Sequence, residues 1–162
     1  MMKIRQAGME DAETVAGLIC DVQQLHAQAL PHLFKPADDP APFVADCRER
    51  ILADPDSRVF IAEDRGKAVG YVVARVLHQP ETAYTYARSV VHVDQISVRP
   101  GYQGGGYGRA LIAAVVELAR AEGAERVTLN SWDFNTQAHE FFYRMGFKVT
   151  NYRMDMYLKE EV

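Results

Sequence analysis

Cysteine and tryptophan are scarce in this chain, with two and one respectively among 162 residues. Cys20 and Cys47 each sit inside an apolar-periodic segment with no CxxC or Cys/His spacing. Neither a disulfide framework nor a zinc site is expected, and both read as plain buried thiols. Basic residues are in the minority, 18 against 22 acidic, giving a formal charge of −4 and a pI near 5.7. Without a global positive field to hold a polyphosphate strand, nucleic acid is excluded as the main partner. No apolar run reaches the ~18 residues of a membrane span. Met1-Met2-Lys3-Ile4-Arg5-Gln6 also lacks the apolar core of a secretory signal. The expectation is a cytoplasmic protein with no membrane partner. Repeats and low-complexity segments are missing too.

What is there is ordinary globular composition, 48% hydrophobic and 25% charged. A chain of this length has room for one domain, here 1–162, and can bury about 70% of the surface its unfolded form exposes.

Lys3-Ile4-Arg5 reads as a short strand, and the acidic residues of Gly8-Met9-Glu10-Asp11 suit a helix start. Val15, Leu18, Ile19, Val22 and Leu25 then recur every three or four residues, a helix running toward Leu30 before Pro31 interrupts it. The proline cluster Pro31, Pro36, Pro40 and Pro42 reads as a loop, and Phe43 to Leu52 as a second helix. Val59–Ala62 and Val69–Val76 are strands joined by Asp64-Arg65-Gly66-Lys67, a link of hairpin length. Gln79 to Arg88 reads as a loop. Ser89 to Val98 is a strand whose polar residues His92, Asp94 and Gln95 break strict alternation, a slip that a bulge would explain. Leu111, Ile112, Val115, Val116 and Leu118 predict an amphipathic helix ending at Gly123. A strand over Val127–Trp132, a helix capped by Asn135 or Thr136 and reaching Met145, and a last strand from Phe147 toward Leu158 complete the order. The fold class is α/β, an α+β mixed sheet with helices packed on it.

Five of the eight residues 101–108 are glycine, between a strand and a helix. Glycine admits positive φ and close backbone approach, and the amides at a helix start attract anions, so this is a candidate phosphate cradle. Gly101 and Gly106 have the outer spacing of a P-loop, but Tyr107-Gly108 stand where Lys-Ser/Thr should follow. A dinucleotide fingerprint fails as well, since its third glycine would fall on Arg109. The ligand expected is a phosphate compound held chiefly by main chain.

Gln103-Gly104-Gly105-Gly106-Tyr107-Gly108, preceded by Ile96-Ser97-Val98-Arg99-Pro100, resembles the pyrophosphate loop of the GNAT superfamily of acetyl-CoA-dependent N-acetyltransferases. Asn135-x-x-Ala138-x-x-Phe141-Phe142-x-x-x-Gly146-Phe147 is similar to that family's closing helix. The resemblance covers nearly the whole chain. It implies a GNAT-like fold, a central, mostly antiparallel twisted sheet of about six or seven strands flanked by about four helices. It further implies that amides of Gln103, Gly104, Gly105, Gly106, Tyr107 and Gly108, with Arg109, hold the pyrophosphate of coenzyme A. Main chain at Ile96 and Val98 would pair with the pantetheine arm, and Asn135 would contact the same arm. No metal is implied.

In such enzymes the strand before the phosphate loop supplies the residue that takes the amine proton. Aligning back from Gln103 puts His92 and Asp94 at those positions, on one face unless a bulge intervenes. A lysine-like amine has a pKa near ~10.4, so at neutral pH a base assists. Many members place a tyrosine where this chain has Phe142, facing the departing sulfur. Tyr143 is one residue on, turned about 100° around the helix. The general acid is then water or another hydroxyl such as Tyr102 or Tyr107. His26, with His32 and Phe34, lies where the family's acceptor site forms. Tyr84, Tyr86 and Trp132 either wall that pocket or form a homodimer surface.

The activity implied is transfer of an acetyl group from acetyl-CoA to a primary amine, a small molecule, directly within a ternary complex. The rivals are a catalytically silent acyl-CoA sensor and an acetyltransferase acting on a protein N-terminus or lysine.

Overall fold

The computed structural model describes residues 1–158. They fall into two compact units, one of residues 1–130 and one from Ser131 onward.

The first unit is built on a five-stranded sheet in the order β1-β2-β3-β4-β5. Its strands are β1 (Met2–Gln6), β2 (Ser57–Asp64), β3 (Lys67–Gln79), β4 (Arg88–Val98) and β5 (Arg126–Leu129). The first four pair antiparallel with their neighbours, and β5 joins β4 in parallel. The helices are α1 (Ala12–Ala29), α2 (Ala41–Asp46), which continues into a π-helical turn over Cys47–Leu52, and α3 (Tyr107–Ala121). The apolar run in β3 is continuous because both of its faces are covered. Tyr71 and Val73 pack with Val15, Leu18 and Ile19 of α1 and with Cys47 and Ile51. Val72, Ala74 and Val76 pack on the opposite face with Leu111 and Val115 of α3. Cys47 is fully buried, and burial pushes its thiol up to about 11, so it stays protonated. Cys20 is only partly buried, so the expectation of two buried thiols holds for one of them.

The acidic residues at the head of α1 do more than complement a helix dipole. Arg5 donates through Nη1 and Nη2 to both oxygens of Asp11 (2.8 and 2.7 Å) and through Nε to Glu63 (2.6 Å). Asp11 also accepts the Gly8 amide at 2.9 Å. The Arg5 guanidinium thus joins β1 to β2 and, through the buried Asp11, to the start of α1.

The second unit contains α4 (Thr136–Arg144), capped as expected by Asn135, whose Oδ1 accepts from the Ala138 amide at 3.4 Å. Gly146, at φ +93°, ends the helix turn. The Phe147 amide returns to the Phe142 carbonyl at 3.0 Å, and the two rings sit 5.7 Å apart.

Two strand expectations are corrected. The strand placed over Val127–Trp132 stops at Leu129, because the Trp132 carbonyl is committed to a turn, accepting from the Asn135 amide and from His139 Nε2 (3.0 Å each). Phe147 to Leu158 forms no strand, although Tyr152, Met154 and Met156 alternate with Arg153 and Asp155, and the described residues from Lys148 on are exposed. A strand gains its hydrogen bonds only from a neighbour, and among the described residues no strand pairs with this segment. The sheet therefore has five strands among those residues where six or seven were expected.

Hydrogen bonds from Arg5, against the opposing effect of burial, hold the Asp11 carboxyl below its ordinary value, and the Gly8 amide adds to this. The stability this contributes is present above the unfolded value near ~3.9 and is lost as pH falls through the lowered folded one. Asp11→Asn should cost about 2 to 3 kcal/mol at neutral pH, by leaving Arg5 short of a buried partner. Urea unfolding should also show a shallower acid limb in the variant than in the parent.

Candidate active site

The loop between β4 and α3 is shaped for an anion. Gly101, Gly104 and Gly106 all have positive φ (87°, 79° and 86°). Gly106 is the N-cap of α3 and offers no side-chain acceptor, so the first-turn amides of a 15-residue helix are left for a ligand. A Cβ on Gly105 would meet the Tyr107 ring at 2.9 Å and the Tyr102 carbonyl at 3.1 Å, so the backbone there has no room for a side chain. Arg109 is exposed in the same first turn, a cation beside the cradle. The residues present fit a pyrophosphate held by main chain.

The strand leading into the loop has an open edge. β5 pairs with β4 only from Val90 to Val93, and among the described residues no strand pairs with β4 from Asp94 onward on that side. The Arg99 amide donates to Val69 of β3 (2.8 Å). By alternation the main-chain groups of Ile96 and Val98 face away from β3, toward the open edge. This is the arrangement that pairing with an extended pantetheine arm requires. Gln103 has a local task, its Nε2 donating to the Val98 carbonyl at 3.0 Å and tying the loop to the strand.

The bulge expected in β4 is at Asp94. Val73 pairs with Gln95 and Ala74 with Val93, leaving Asp94 as the extra residue. Val91 and Val93 lie on the α3 side before the bulge, and Ile96 and Val98 do so after it. His92, Asp94 and Gln95 are consequently gathered on the other face. There His92 Nδ1 lies 2.8 Å from Thr128 Oγ1, and its Nε2 lies 3.9 Å from Asp94 Oδ1, a gap that one water can bridge. Both side chains are partly open, at 22% and 29% exposure. Arg75 donates through Nε to Asp94 Oδ2 (2.6 Å) and through Nη1 to Asp54 Oδ2 (2.9 Å). The Tyr71 hydroxyl donates to Gln95 Oε1 at 2.9 Å, and burial pushes that phenol up, so it keeps its proton. Beside these groups opens a cavity of about 520 Å³ lined by Asp46, Arg50, Ile51, Val73, Arg75, Asp94 and Gln95.

The residues expected to contact the acceptor are not those that line this cavity. The His26 ring contacts Phe34 (centroids 5.0 Å apart), and its Nδ1 lies 3.0 Å from the Val22 carbonyl. Tyr84 and Tyr86 stand almost fully exposed in the loop 80–87. Trp132 stacks on Phe134 in the second unit, 6.5 Å between centroids. Arg75, Asp46 and Arg50 were not singled out from sequence, and Gln95 was noted only for breaking the alternation of its strand. Arg75 had a signal, being the one charge inside the apolar run Val69–Val76. In α4, Phe142 is buried while Tyr143 is 56% exposed, as a 100° turn between neighbours produces. Desolvation and the Asp64 carboxylate raise the Tyr107 hydroxyl, which makes it a weaker acid than an ordinary tyrosine. Among the described residues no three His, Cys, Asp or Glu side chains gather as a metal site, and no helix is long and apolar enough to cross a membrane.

Comparison with known proteins agrees with this geometry. Residues 19–147 match the model of the acetyltransferase (GNAT) family. A glucosamine 6-phosphate N-acetyltransferase of Trypanosoma brucei brucei is 32% identical over 111 residues, 68% of this chain and 70% of that enzyme. An aminoglycoside N(6')-acetyltransferase type 1 of Stenotrophomonas maltophilia is 33% identical over 125 residues, 76% of this chain and 78% of that one. The solved structure of aminoglycoside N-acetyltransferase AAC(6')-Iy in complex with CoA superposes with a TM-score of 0.73 at 26% identity, over 99% of this chain and 95% of that one.

A β-branched side chain at the Gly106 φ of +86° is strained, and its bulk would stand where a phosphate in the candidate cradle would meet the backbone. Gly106→Val should weaken coenzyme A binding tenfold or more, about 1.4 kcal/mol, in a folded protein. Calorimetry reads this directly, and unchanged affinity would remove the loop from the binding site.

Proposed function

The chain belongs to the GNAT acetyltransferase family and is an acetyl-CoA-dependent N-acetyltransferase, and from that premise we propose that its acceptor is a small primary amine, acetylated by direct transfer in a ternary complex. The observation that carries this reading is the His92 imidazole, fixed by Thr128 and set against Asp94, a carboxylate that lines the cavity. The family match runs through both compact units, which supports reading 1–162 as one functional domain. The two relatives named above act, by their names, on glucosamine 6-phosphate and on aminoglycosides, amine-bearing sugars, which supports a small acceptor over a protein.

Acetyl-CoA supplies the activated acyl carbon; the protein's task is to hold both substrates and move a proton. Loop amides 103–108 and Arg109 take the pyrophosphate, while the outward main chain of Ile96 and Val98 takes the extended arm. The acceptor amine, with a pKa near ~10.4, arrives as an ammonium and must lose a proton before it can attack. Asp94 Oδ1, left open when Arg75 occupies Oδ2, attracts that cation. With Nδ1–H donating to Thr128 Oγ1, His92 carries its lone pair on Nε2, the nitrogen nearer Asp94, and accepts the proton there, directly or through one water. Attack joins the amine nitrogen to the acyl carbon and breaks its bond to sulfur. A departing thiol of pKa around ~8.5 needs no side-chain acid, which is why phenylalanine at 142 is tolerable.

His92→Ala should lower turnover about 10² to 10⁴-fold and leave coenzyme A affinity nearly intact. Turnover within twofold of the parent would show that the proton leaves by another route, and Asp94→Asn is then the informative variant.

At the leaving group, Phe142→Tyr should leave the rate unchanged or raise it, and Tyr143→Phe should change it little. A large loss in Tyr143→Phe, at preserved affinity and stability, would make Tyr143 the acid. Without a tyrosine acid, the rate profile should also lack a fall near pH ~10.

A further inference from the structure

Successive residues of a strand point to opposite faces, so two neighbours seldom serve one ligand together. The bulge in β4 removes that restriction. With Asp94 as the extra residue, Gln95 pairs with Val73, whose side chain packs on the α1 side of the sheet. Asp94 and Gln95 both line the cavity of about 520 Å³ on that side, with Cα atoms about 3.8 Å apart as consecutive residues. One is a carboxylate and the other a carboxamide, so an anionic acceptor and a neutral donor stand side by side.

Tyr71 decides which end of the Gln95 amide the cavity meets. It is fully buried and pairs with Ser97, which places it diagonally from Gln95, within reach of a long side chain. Its hydroxyl donates to Gln95 Oε1 at 2.9 Å. A buried phenol needs an acceptor for its proton, and in a carboxamide only the oxygen accepts; the reversed amide would leave that proton unmet. Oε1 is therefore held toward Tyr71, and Nε2, with two hydrogens to donate, has no partner among the described residues. The other donors of the cavity are drawn to carboxylates. Arg75 serves Asp94 and Asp54, and Arg50, on a largely exposed side chain, reaches Asp46 at 3.5 Å.

Resting on the amine site assigned above, we propose that the acceptor is a vicinal amino alcohol or one of its ethers, an amine with an oxygen on the neighbouring carbon, and that Gln95 reads this oxygen. Asp94 Oδ1 draws the ammonium, and Gln95 Nε2 donates to the oxygen beside it. Tyr71 is a positioning residue that acts through Gln95. The spacing agrees, since nitrogen and oxygen on adjacent carbons lie a few ångströms apart, as do the ends of two adjacent side chains on one face. A plain alkylamine satisfies Asp94 but leaves the Gln95 donor unmet in a site closed to much of its water. A vicinal diamine sets a second ammonium against N–H groups, which repel it. The carboxylate thus selects for charge, and the carboxamide for an uncharged acceptor next to it.

The test is thiol release by the full chain with acetyl-CoA and either methoxyethylamine or butylamine, which differ by an oxygen in place of one methylene. The ratio of their kcat/KM values, ether over alkyl, should be about three- to tenfold greater in the parent than in Gln95→Met. Comparing parent with variant cancels the different basicities of the two amines. Gln95→Leu provides an independent second removal of the donor and should lower the ratio equally. Tyr71→Phe, which keeps the carboxamide but frees it to turn, should lower the ratio by less. A ratio unchanged in both Gln95 variants overturns the proposal, and a ratio unchanged in Tyr71→Phe overturns the positioning role of the phenol. Turnover of both amines with no such difference leaves the small-amine reading intact and removes only the oxygen contact. Thiol release with no small amine at all would instead overturn that reading, and this proposal with it, so the two failures are separately visible.

Discussion

One extra residue in β4 governs the active face. With Asp94 bulged out of register, the side chains before and after it fall out of phase, so His92, Asp94 and Gln95 share one face. Val91, Val93, Ile96 and Val98 meanwhile all serve the α3 core. Without the bulge, a strand with this sequence would have to turn either Ile96 and Val98 or His92 and Asp94 away from where each is needed. The core therefore enforces the bulge, since restoring regular alternation would expose apolar side chains on one side and bury polar ones on the other.

The same strand separates two kinds of electrostatics in a protein of net charge −4. Toward its end, the proposed anion site is built from backbone amides and the start of α3, where positive potential is local and costs the surface few lysines or arginines. Around Asp94 the charges are side chains in a chain of pairs, Asp54 to Arg75 to Asp94. Arg75 holds one oxygen of Asp94 and leaves the other facing His92, so a carboxylate that would otherwise swing freely has a fixed free lone pair.

How the elements are anchored follows the same economy. The Arg5–Asp11–Glu63 junction fixes the start of α1 to the sheet edge, and α1 with the turn over Cys47–Leu52 covers the face on which His92 lies. The cavity wall then comes from Asp46, Arg50 and Ile51, close to the buried Cys47, while its floor comes from the sheet. The proposed acceptor site has one rigid side and one carried by short helical segments, which is where variation between related enzymes can alter the substrate without disturbing His92 and Asp94.

Local physics was enough for much of this. Spacing of apolar residues every three or four positions, or every two, located four helices and four of the five strands closely, because those periods are properties of the backbone itself. The glycine density before α3 marked the loop of positive-φ residues now proposed as an anion site, because positive φ and close approach leave little choice of residue. Even the phase slip at Asp94 was visible. What the sequence could not decide was which distant residues meet. Arg75, Asp46 and Arg50 come to Asp94 only through strand register and helix packing, and Tyr84, plausible as a pocket wall, stands in water. The strand pattern of 147–158 was legible too, but a strand exists only with a neighbour to bond, and pairing is a long-range event that no local pattern contains.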